Sequence, residues 1–222
     1  MSALELLKSP VQHWFSESFA SPTRAQSEAW PRILRGESVL VIAPTGSGKT
    51  LAAFLGALDR LMFEPIPASD ERLSVVYISP LRALAVDVEK NLERPIAGIA
   101  GVAERLGVPF RRPELSLRSG DTAARDRARF SRSASDILIT TPESLYLLLT
   151  SNAARHFASV KTIIVDEVHS LVGTKRGAHL FLSLERIEAL RAGKPLQRIG
   201  LSATQRPFEE AARWLGGVAL DG

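Results

Sequence analysis

From about residue 38 onward, short apolar runs alternate with longer amphipathic segments. The runs predict five buried strands, over residues 38–43, 73–78, 136–140, 161–165 and 197–201, and a shorter one over 114–118. Apolar residues at i, i+3 and i+4 predict helices over 49–63, 81–106, 178–192 and 207–215. Pro95 is expected to kink or split the second of these helices. Strands separated by helices indicate βαβ crossovers, so the predicted fold class is α/β with a mostly parallel sheet flanked by helices.

The N-terminal part of the chain has a different pattern. The pattern of residues 1–35 is mainly helical, with breaks at Pro10 and Pro22. It predicts a helical extension that packs on an α/β domain formed by residues 36–222. Neither a linker nor a repeat divides the 222 residues, and a chain of this length can bury one sizeable core. We therefore expect a single domain with a helical N-terminal extension.

Composition and charge exclude several classes of protein. The chain has no cysteine, which excludes disulfides, cysteine-ligated zinc and iron–sulfur clusters. No apolar run approaches the ~18 residues of a membrane span, and the N-terminus lacks the basic start of a signal peptide. We therefore expect a cytoplasmic protein with no membrane partner, associated with the nucleoid when on DNA. The net charge of +4 mildly favours a polyanionic partner.

A glycine-rich segment, Ala43-Pro-Thr-Gly-Ser-Gly-Lys-Thr50, follows the first predicted strand and opens the first predicted helix. In that position its backbone N–H groups can turn towards phosphate oxygens, and the helix N-terminus adds a favourable dipole. Lys49 can reach the β- and γ-phosphates, and the Thr50 hydroxyl can ligate Mg²⁺. The general pattern has glycine where Ala43 stands. The expected nucleotide contacts are Thr45, Gly46, Ser47, Gly48, Lys49 and Thr50.

Two adjacent acids follow another buried strand, in Asp166-Glu-Val-His169. In an open parallel sheet, ligands bind at the carboxyl ends of the strands. Asp166 can hold Mg²⁺ there, directly or through water, and Glu167 can orient and deprotonate the attacking water. The predicted catalytic residues are Lys49, Asp166 and Glu167.

These two segments resemble motifs I and II of superfamily 2 helicases, and four further matches stand in the family's order. Phe19, Thr23 and Gln26 resemble the Q motif, whose glutamine reads the adenine edge. The other matches are Ser79-Pro-Leu-Arg82 to motif Ia, Thr140-Thr-Pro-Glu143 to motif Ib and Ser202-Ala-Thr204 to motif III. The resemblance implies a RecA-like P-loop lobe, the first of two, that uses ATP and Mg²⁺.

Within superfamily 2, the sequence is most similar to the large helicase-related (Lhr) family. The residues that carry this similarity are Arg118–Thr122, Asp166–Leu171 and Gly173–His179. A DEAD-box RNA helicase has aspartate where His169 stands, and a ligase-associated group has an aromatic where Val168 stands. The resemblance implies an ATP-driven motor for DNA repair that moves 3′ to 5′ along single-stranded DNA and displaces the paired strand.

Candidate nucleic-acid contacts lie near three predicted helix N-termini, where donors can bind phosphates. They are Ser79, Arg82, Arg118, Gly120, Thr140 and Thr141. Ordinary N-capping is the alternative explanation for each of them. By resemblance, His169 is expected to hydrogen-bond towards Ser202 or Thr204 and couple the ATP site to the DNA side.

Other functions remain open on the sequence alone. They are an RNA helicase lobe, a double-strand translocase, a GTPase-like switch without unwinding, and a silent nucleic-acid-binding module. No N-K-x-D guanine motif occurs, and no Q-x-x-G-R-x-G-R follows residue 204. We therefore expect the second RecA-like lobe and C-terminal domains to be partners beyond Gly222, with single-stranded DNA or an RNA–DNA hybrid as substrate. The 222 residues alone are expected to bind ATP weakly, hydrolyse it slowly and unwind nothing.

Overall fold

The computed structural model describes residues 3–203 and 208–216. Its centre is a six-stranded sheet in the order β1-β6-β5-β2-β4-β3, and every neighbouring pair of strands is parallel. The strands are β1 Val39–Ile42, β2 Val75–Ile78, β3 Leu115–Arg118, β4 Ile137–Thr140, β5 Thr162–Val165 and β6 Gln197–Ser202. The predicted α/β fold class and parallel sheet are confirmed. Each strand lies within two residues of its predicted place. The four inner strands are buried along their whole length, as expected for strands covered on both faces, whereas the edge strands β1 and β3 are mostly partly buried.

Eight α-helices surround the sheet in the described ranges. They are α1 Ser9–Ser18, α2 Arg24–Leu34, α3 Lys49–Phe63, α4 Arg82–Leu106, α5 Ala124–Arg132, α6 Pro142–Leu149, α7 Lys175–Leu190 and α8 Phe208–Gly216. Short 3₁₀ helices span Ala3–Leu6, Asn152–Ser159 and Val168–Ser170. The predicted opening of the last helix by Pro207 lies outside the described residues.

The structure corrects two sequence expectations about helices. Pro95 lies inside α4 and does not split it, since the helix continues to Leu106, and the expected kink stays a prediction. Proline removes one backbone donor, but Pro95 is buried with Leu92 and Ile96 against the domain, and this burial offsets the loss. The helix predicted from residue 178 begins at Lys175, because the Thr174 side chain caps it by accepting from the Gly177 N–H at 2.9 Å.

The core has three parts. Helices α2, α3 and α4 cover one face of the sheet, and α5 to α8 cover the other. A third cluster joins the N-terminal helices to α3 and α4 through Phe15, Trp30 and Leu55, all of them buried. The predicted helical extension is therefore packed against the α/β domain. Across residues 3–203 and 208–216, none of the helices has the length and apolarity needed to span a membrane.

Candidate nucleotide-binding site

The glycine-rich loop connects β1 to α3 at the carboxyl edge of the sheet. Gly46 and Gly48 both have φ of +79°, a left-handed conformation that glycine adopts without steric cost. A Cβ atom on Gly48 would lie 2.5 Å from Nε2 of Gln26, so a larger residue would displace that side chain. These torsions turn the loop around the N-terminus of α3, which begins at Lys49.

The loop is braced by the N-terminus of α2. Thr23 and Gln26 form a reciprocal capping box, in which each side chain accepts a hydrogen bond from the other residue's backbone N–H. The Thr23 hydroxyl then donates to the Ser47 carbonyl at 2.9 Å, and Gln26 Nε2 donates to the Gly48 carbonyl at 3.3 Å. Gln26 is buried, and both ends of its amide are used within the protein. The amide keeps one further N–H and one further lone pair, so both bonds can persist if it also reads an adenine edge.

The Lys49 ammonium group folds over the start of the loop. Its Nζ donates to the carbonyls of Ala43 at 2.5 Å and Pro44 at 2.9 Å. The Ser47 hydroxyl is buried and has no hydrogen-bond partner within residues 3–203 and 208–216. A buried polar group of this kind is costly unless a ligand satisfies it. A cationic amine and an unpaired hydroxyl in one loop therefore suit an anionic ligand.

Asp166 and Glu167 follow β5 at the same edge of the sheet. Asp166 Oδ1 accepts from the Glu167 N–H at 2.9 Å, and Oδ2 accepts from the Tyr77 hydroxyl. Glu167 has φ of 48°, an uncommon conformation for a residue with a side chain, and such outliers cluster at functional sites. Burial and the neighbouring Asp166 carboxylate raise the pKa of Tyr77 well above its usual range, so the tyrosine stays protonated and donates.

His169 connects the acid pair to the end of β6. Its Nδ1 atom lies 3.2 Å from the Ser202 hydroxyl and accepts from the Ala203 N–H at 3.2 Å. Because Nδ1 accepts, the ring proton of a neutral imidazole is on Nε2, which lies 3.1 Å from Glu167 Oε2. The imidazole thus contacts both the acid pair and Ser202, as expected from the sequence. Thr204, the other expected partner, lies outside the described residues.

One cavity of about 560 Å³ is lined by most of the glycine-rich loop and by the acid pair, whereas Thr23, Gln26, Ser47 and His169 are not among its lining residues. Its lining includes Thr45, Gly46, Gly48, Lys49, Thr50, Asp166 and Glu167, together with Phe19. The cavity is also lined by residues of α4, namely Leu84, Asp87, Asn91 and Arg94. The aromatic side chain of Trp14 lines it as well. The α4 residues and Trp14 were missed by the sequence analysis. The signal for the α4 residues was the spacing of Asp87, Asn91 and Arg94, which places three polar side chains on one helix face.

Mg²⁺ fits this site only together with a phosphate ligand. In the described ranges no group of three or more His, Asp or Glu side chains could hold a metal ion. Thr50 and Asp166 line the same cavity and supply the hydroxyl and carboxylate oxygens that Mg²⁺ prefers. Mg²⁺ commonly completes its six ligands with water and nucleotide phosphates, so two protein oxygens suffice.

Three of the candidate nucleic-acid contacts have buried side chains. The Ser79 hydroxyl donates to the Leu81 carbonyl at 3.0 Å, and the Thr140 hydroxyl donates to the Arg118 carbonyl at 2.8 Å. Thr141 caps α6 by accepting from the Ser144 N–H. These hydroxyls are therefore engaged within the protein, and a role of the three residues in contacting nucleic acid stays a prediction. They hold turns at strand ends, because buried hydroxyls at these turns satisfy nearby carbonyls and N–H groups.

The other candidate contacts lie at the surface. Gly120 is exposed, and Arg82 is exposed and paired with Asp121. Arg118 is partly buried, and within the described chain its Nε and Nη1 atoms have no hydrogen-bond partner. These three residues surround the loop after β3, a suitable place for phosphate contacts.

Arg176 is a further link that the sequence did not reveal. Its Nε donates to Glu143 Oε1 at 2.5 Å and its Nη2 donates to Oε2 at 3.0 Å. This pair ties the first turn of α7 to the first turn of α6. The hydrogen-bonded Arg176 guanidinium holds the pKa of Glu143 below its ordinary value.

A parallel sheet with a phosphate-binding loop after β1 and an acid pair after β5 defines a RecA-like P-loop nucleotide-binding domain. The family model for DEAD/DEAH box helicases matches residues 23–211, and the chain belongs to that family. The resemblance inferred from the motifs is thereby confirmed.

Relatives within the family carry the Lhr name. The chain is 56% identical over 209 residues to an Lhr helicase/probable uracil glycosylase of Mycolicibacterium smegmatis, covering 94% of the chain and 14% of that protein. It is 40% identical over 219 residues to the ATP-dependent helicase Lhr-Core of Methanocaldococcus jannaschii, covering 98% and 26%. The structure of the Mycobacterium smegmatis helicase Lhr bound to ssDNA and AMP-PNP superposes with a TM-score of 0.92 at 53% identity. That match covers 99% of this chain and 28% of the other. The chain therefore spans about a quarter or less of the length of these relatives.

Proposed function

We propose that this chain is the first motor lobe of an ATP-dependent helicase that moves 3′ to 5′ along single-stranded DNA and displaces the paired strand in DNA repair. Residues 1–35 form its helical extension, and residues 36–222 form the lobe. One observation carries the proposal: the phosphate-binding loop and the acid pair line a single cavity, and His169 joins Glu167 to the end of β6. The similar structure with ssDNA and AMP-PNP bound supports single-stranded DNA and ATP as the ligands.

The site residues have distinct proposed roles in hydrolysis. Lys49 leaves the carbonyls of Ala43 and Pro44 to bind the β- and γ-phosphates. Glu167 orients the attacking water and takes its proton on a carboxylate oxygen. Thr50 and Asp166 would hold Mg²⁺, which neutralises charge on the phosphates. Phe19 lines the cavity where an aromatic ring can stack on the base.

A second lobe is proposed to complete the ATP site. In phosphoryl transfer, an arginine supplied from outside the phosphate-binding domain can raise the rate by ~10³–10⁵-fold. The lengths of the relatives, of which this chain spans 14% and 26%, support a longer working protein. By itself the chain should bind ATP weakly, turn it over slowly and leave duplexes intact. DNA-stimulated turnover by the chain alone at the rate of the longer protein would contradict this.

The catalytic assignment is tested by Glu167→Gln in a protein that carries both lobes. The amide cannot accept the proton, so ATP turnover should fall to background while a fluorescent ATP analogue binds as before. Glu210→Gln, a change at an exposed glutamate on α8, is the matched control and should leave both measurements unchanged. Full turnover in the Glu167→Gln protein would refute the role.

Substrate and direction need a separate experiment. ATPase rates are compared with single-stranded DNA and RNA as activators, and with GTP in place of ATP. Duplexes with a 3′ or a 5′ single-stranded tail then report the direction of movement. Stronger activation by RNA would favour the RNA helicase, and GTP binding without unwinding would favour the nucleotide switch.

A further inference from the structure

Tyr77 lies in the middle of the sheet, and its side chain reaches the candidate nucleotide site. It pairs with Ile164 of β5 in the register of the sheet. Side chains two residues apart on a strand point to the same face, so Asp166 is the diagonal neighbour of Tyr77 just beyond the end of β5. Such neighbours are ~7–8 Å apart, a gap that a long side chain can bridge. The tyrosine hydroxyl bridges it and donates to Asp166 Oδ2.

The surroundings leave the Tyr77 hydroxyl no access to water. Tyr77 has no exposed surface, and its ring packs on Phe54 of α3 with ring centroids 5.4 Å apart. A buried hydroxyl without a partner would be costly, and Asp166 is the partner that it has. If packing were the only requirement, phenylalanine would serve equally well at this position.

The second oxygen of Asp166 is also held, by the Glu167 N–H at 2.9 Å. Each carboxylate oxygen therefore accepts one hydrogen bond from the protein, and a carboxylate has about four lone-pair sites in all. The carboxylate group is thus fixed in orientation, and it lines the cavity that also contains Lys49 and Thr50. Residues that hydrogen-bond to a metal-binding carboxylate without touching the metal usually affect how tightly the metal is bound.

We propose that Tyr77 is a positioning residue for ATP hydrolysis, whose hydroxyl orients the Asp166 carboxylate towards the Mg²⁺-bound nucleotide. The inference rests on the proposed function, because it assigns Asp166 to Mg²⁺. The inference adds a residue of β2, Tyr77, to a site whose proposed catalytic residues lie after β1 and after β5. Tyr77 touches neither nucleotide nor metal, and it acts through Asp166.

The test is Tyr77→Phe in the 222-residue chain, with a fluorescent AMP-PNP analogue as the probe. Nucleotide binding is titrated with Mg²⁺ and repeated in EDTA. The Mg²⁺ concentration for half-maximal binding should rise ~10-fold, as is typical when a group behind a metal ligand is lost. Binding in EDTA should be unchanged. Phe54→Leu, which perturbs the same packing but retains the hydroxyl, should keep the Mg²⁺ requirement of the unaltered chain.

The outcomes separate this inference from the proposed function. If the unaltered chain shows Mg²⁺-dependent binding and Tyr77→Phe shows the same requirement, Tyr77 has no positioning role and the proposed function stands. If neither the unaltered chain nor a protein that carries both lobes shows Mg²⁺-dependent nucleotide binding, the proposed function fails and the inference fails with it.

A spectroscopic measurement decides the matter even if Tyr77→Phe does not fold. The chain has two tyrosines, so Tyr146→Phe leaves Tyr77 as the only one. The tyrosine doublet in the ultraviolet resonance Raman spectrum distinguishes a donating hydroxyl from an accepting one. It should report a strong donor, with or without Mg²⁺ and AMP-PNP. A hydroxyl that does not donate would overturn the proposal.

Discussion

The imidazole Nε2 of His169 lies 3.1 Å from the carboxylate Oε2 of Glu167. On its other side the same ring accepts a hydrogen bond from the Ala203 N–H at the end of β6. A displacement of β6 would therefore move the ring, and with it the carboxylate proposed to activate water. This gives a physical route between the ATP site and the segment after β6.

Two conservative substitutions separate the two contacts of His169. His169→Gln can place an amide donor near Glu167 but removes the acceptor for Ala203, and His169→Asn does the reverse. We expect His169→Asn to lower the ATPase rate itself, by up to ~10²-fold, because Glu167 loses its orienting partner. His169→Gln should retain basal ATPase and lose its stimulation by DNA. Both rates are measured by phosphate release in a protein with both lobes.

His169→Ala should lose both properties and still bind nucleotide. Normal ATPase and normal strand displacement in that variant would contradict the coupling role.

Thr23 both caps α2 and holds the phosphate-binding loop. Thr23→Ala should lower the free energy of unfolding by ~0.5–2 kcal/mol, the usual loss for such a cap, as measured by urea denaturation. It should also weaken ATP binding, because the hydroxyl no longer donates to the Ser47 carbonyl. Thr174→Ala removes an equivalent cap from α7 and is the matched control. Equal nucleotide affinity in the two variants would show that Thr23 acts as a cap only.

Two glycines should respond to alanine in opposite directions. A Cβ on Gly177 would lie 1.9 Å from the Leu171 carbonyl oxygen, so backbone must move, and Gly177→Ala should destabilise the chain by ~1–3 kcal/mol or more. Gly101 lies within α4 with nothing within 4 Å of a Cβ, so Gly101→Ala should stabilise by ~0.5–1 kcal/mol. Thermal unfolding measures both. An unchanged melting temperature in Gly177→Ala would show that the close approach to Leu171 is absent.

The pair of Glu143 and Arg176 should give a small pH-dependent contribution to stability. Arg176 lowers the pKa of Glu143 in the folded chain, so the contribution is present above the unfolded-state pKa and is lost as the pH falls through the folded pKa. Both side chains are well exposed, so Arg176→Met should cost no more than ~1 kcal/mol. Carboxyl NMR titration should show the pKa of Glu143 rising towards its ordinary value in Arg176→Met. An unmoved pKa would contradict the pairing.

Much of the fold could be predicted because its signals are local. The strands β1, β2, β4 and β5 lie within short apolar runs, and α3 spans the predicted residues 49–63. The glycine-rich loop was recognisable because its chemistry depends on neighbouring residues between one strand and one helix. The sequence was less informative where the local conformational preference of a residue competes with burial of its side chain. Pro95 is disfavoured inside a helix, yet packing retains it in α4.

The candidate site was predictable in its parts but not in its connections. Lys49 and the acid pair belong to recognisable motifs. Tyr77 looks in the sequence like any residue of a buried strand, so the contact of its hydroxyl with Asp166 could not be predicted. Ser79 and Thr140 looked suited to binding phosphate, and their burial could not be foreseen from hydroxyls near helix N-termini.

Periodicity was therefore enough to predict the α/β class and the parallel sheet, and resemblance of short motifs to known ones was enough to predict the phosphate-binding loop and the helicase family, because each rests on residues close together in the chain. Which of those residues touch depends on the strand order β1-β6-β5-β2-β4-β3. That order places Tyr77 diagonally beside Asp166, 89 residues away, and places the end of β6 against His169. Such pairings come from the packing of the whole sheet between its helices, a long-range balance of burial and hydrogen bonding that no short stretch of sequence encodes.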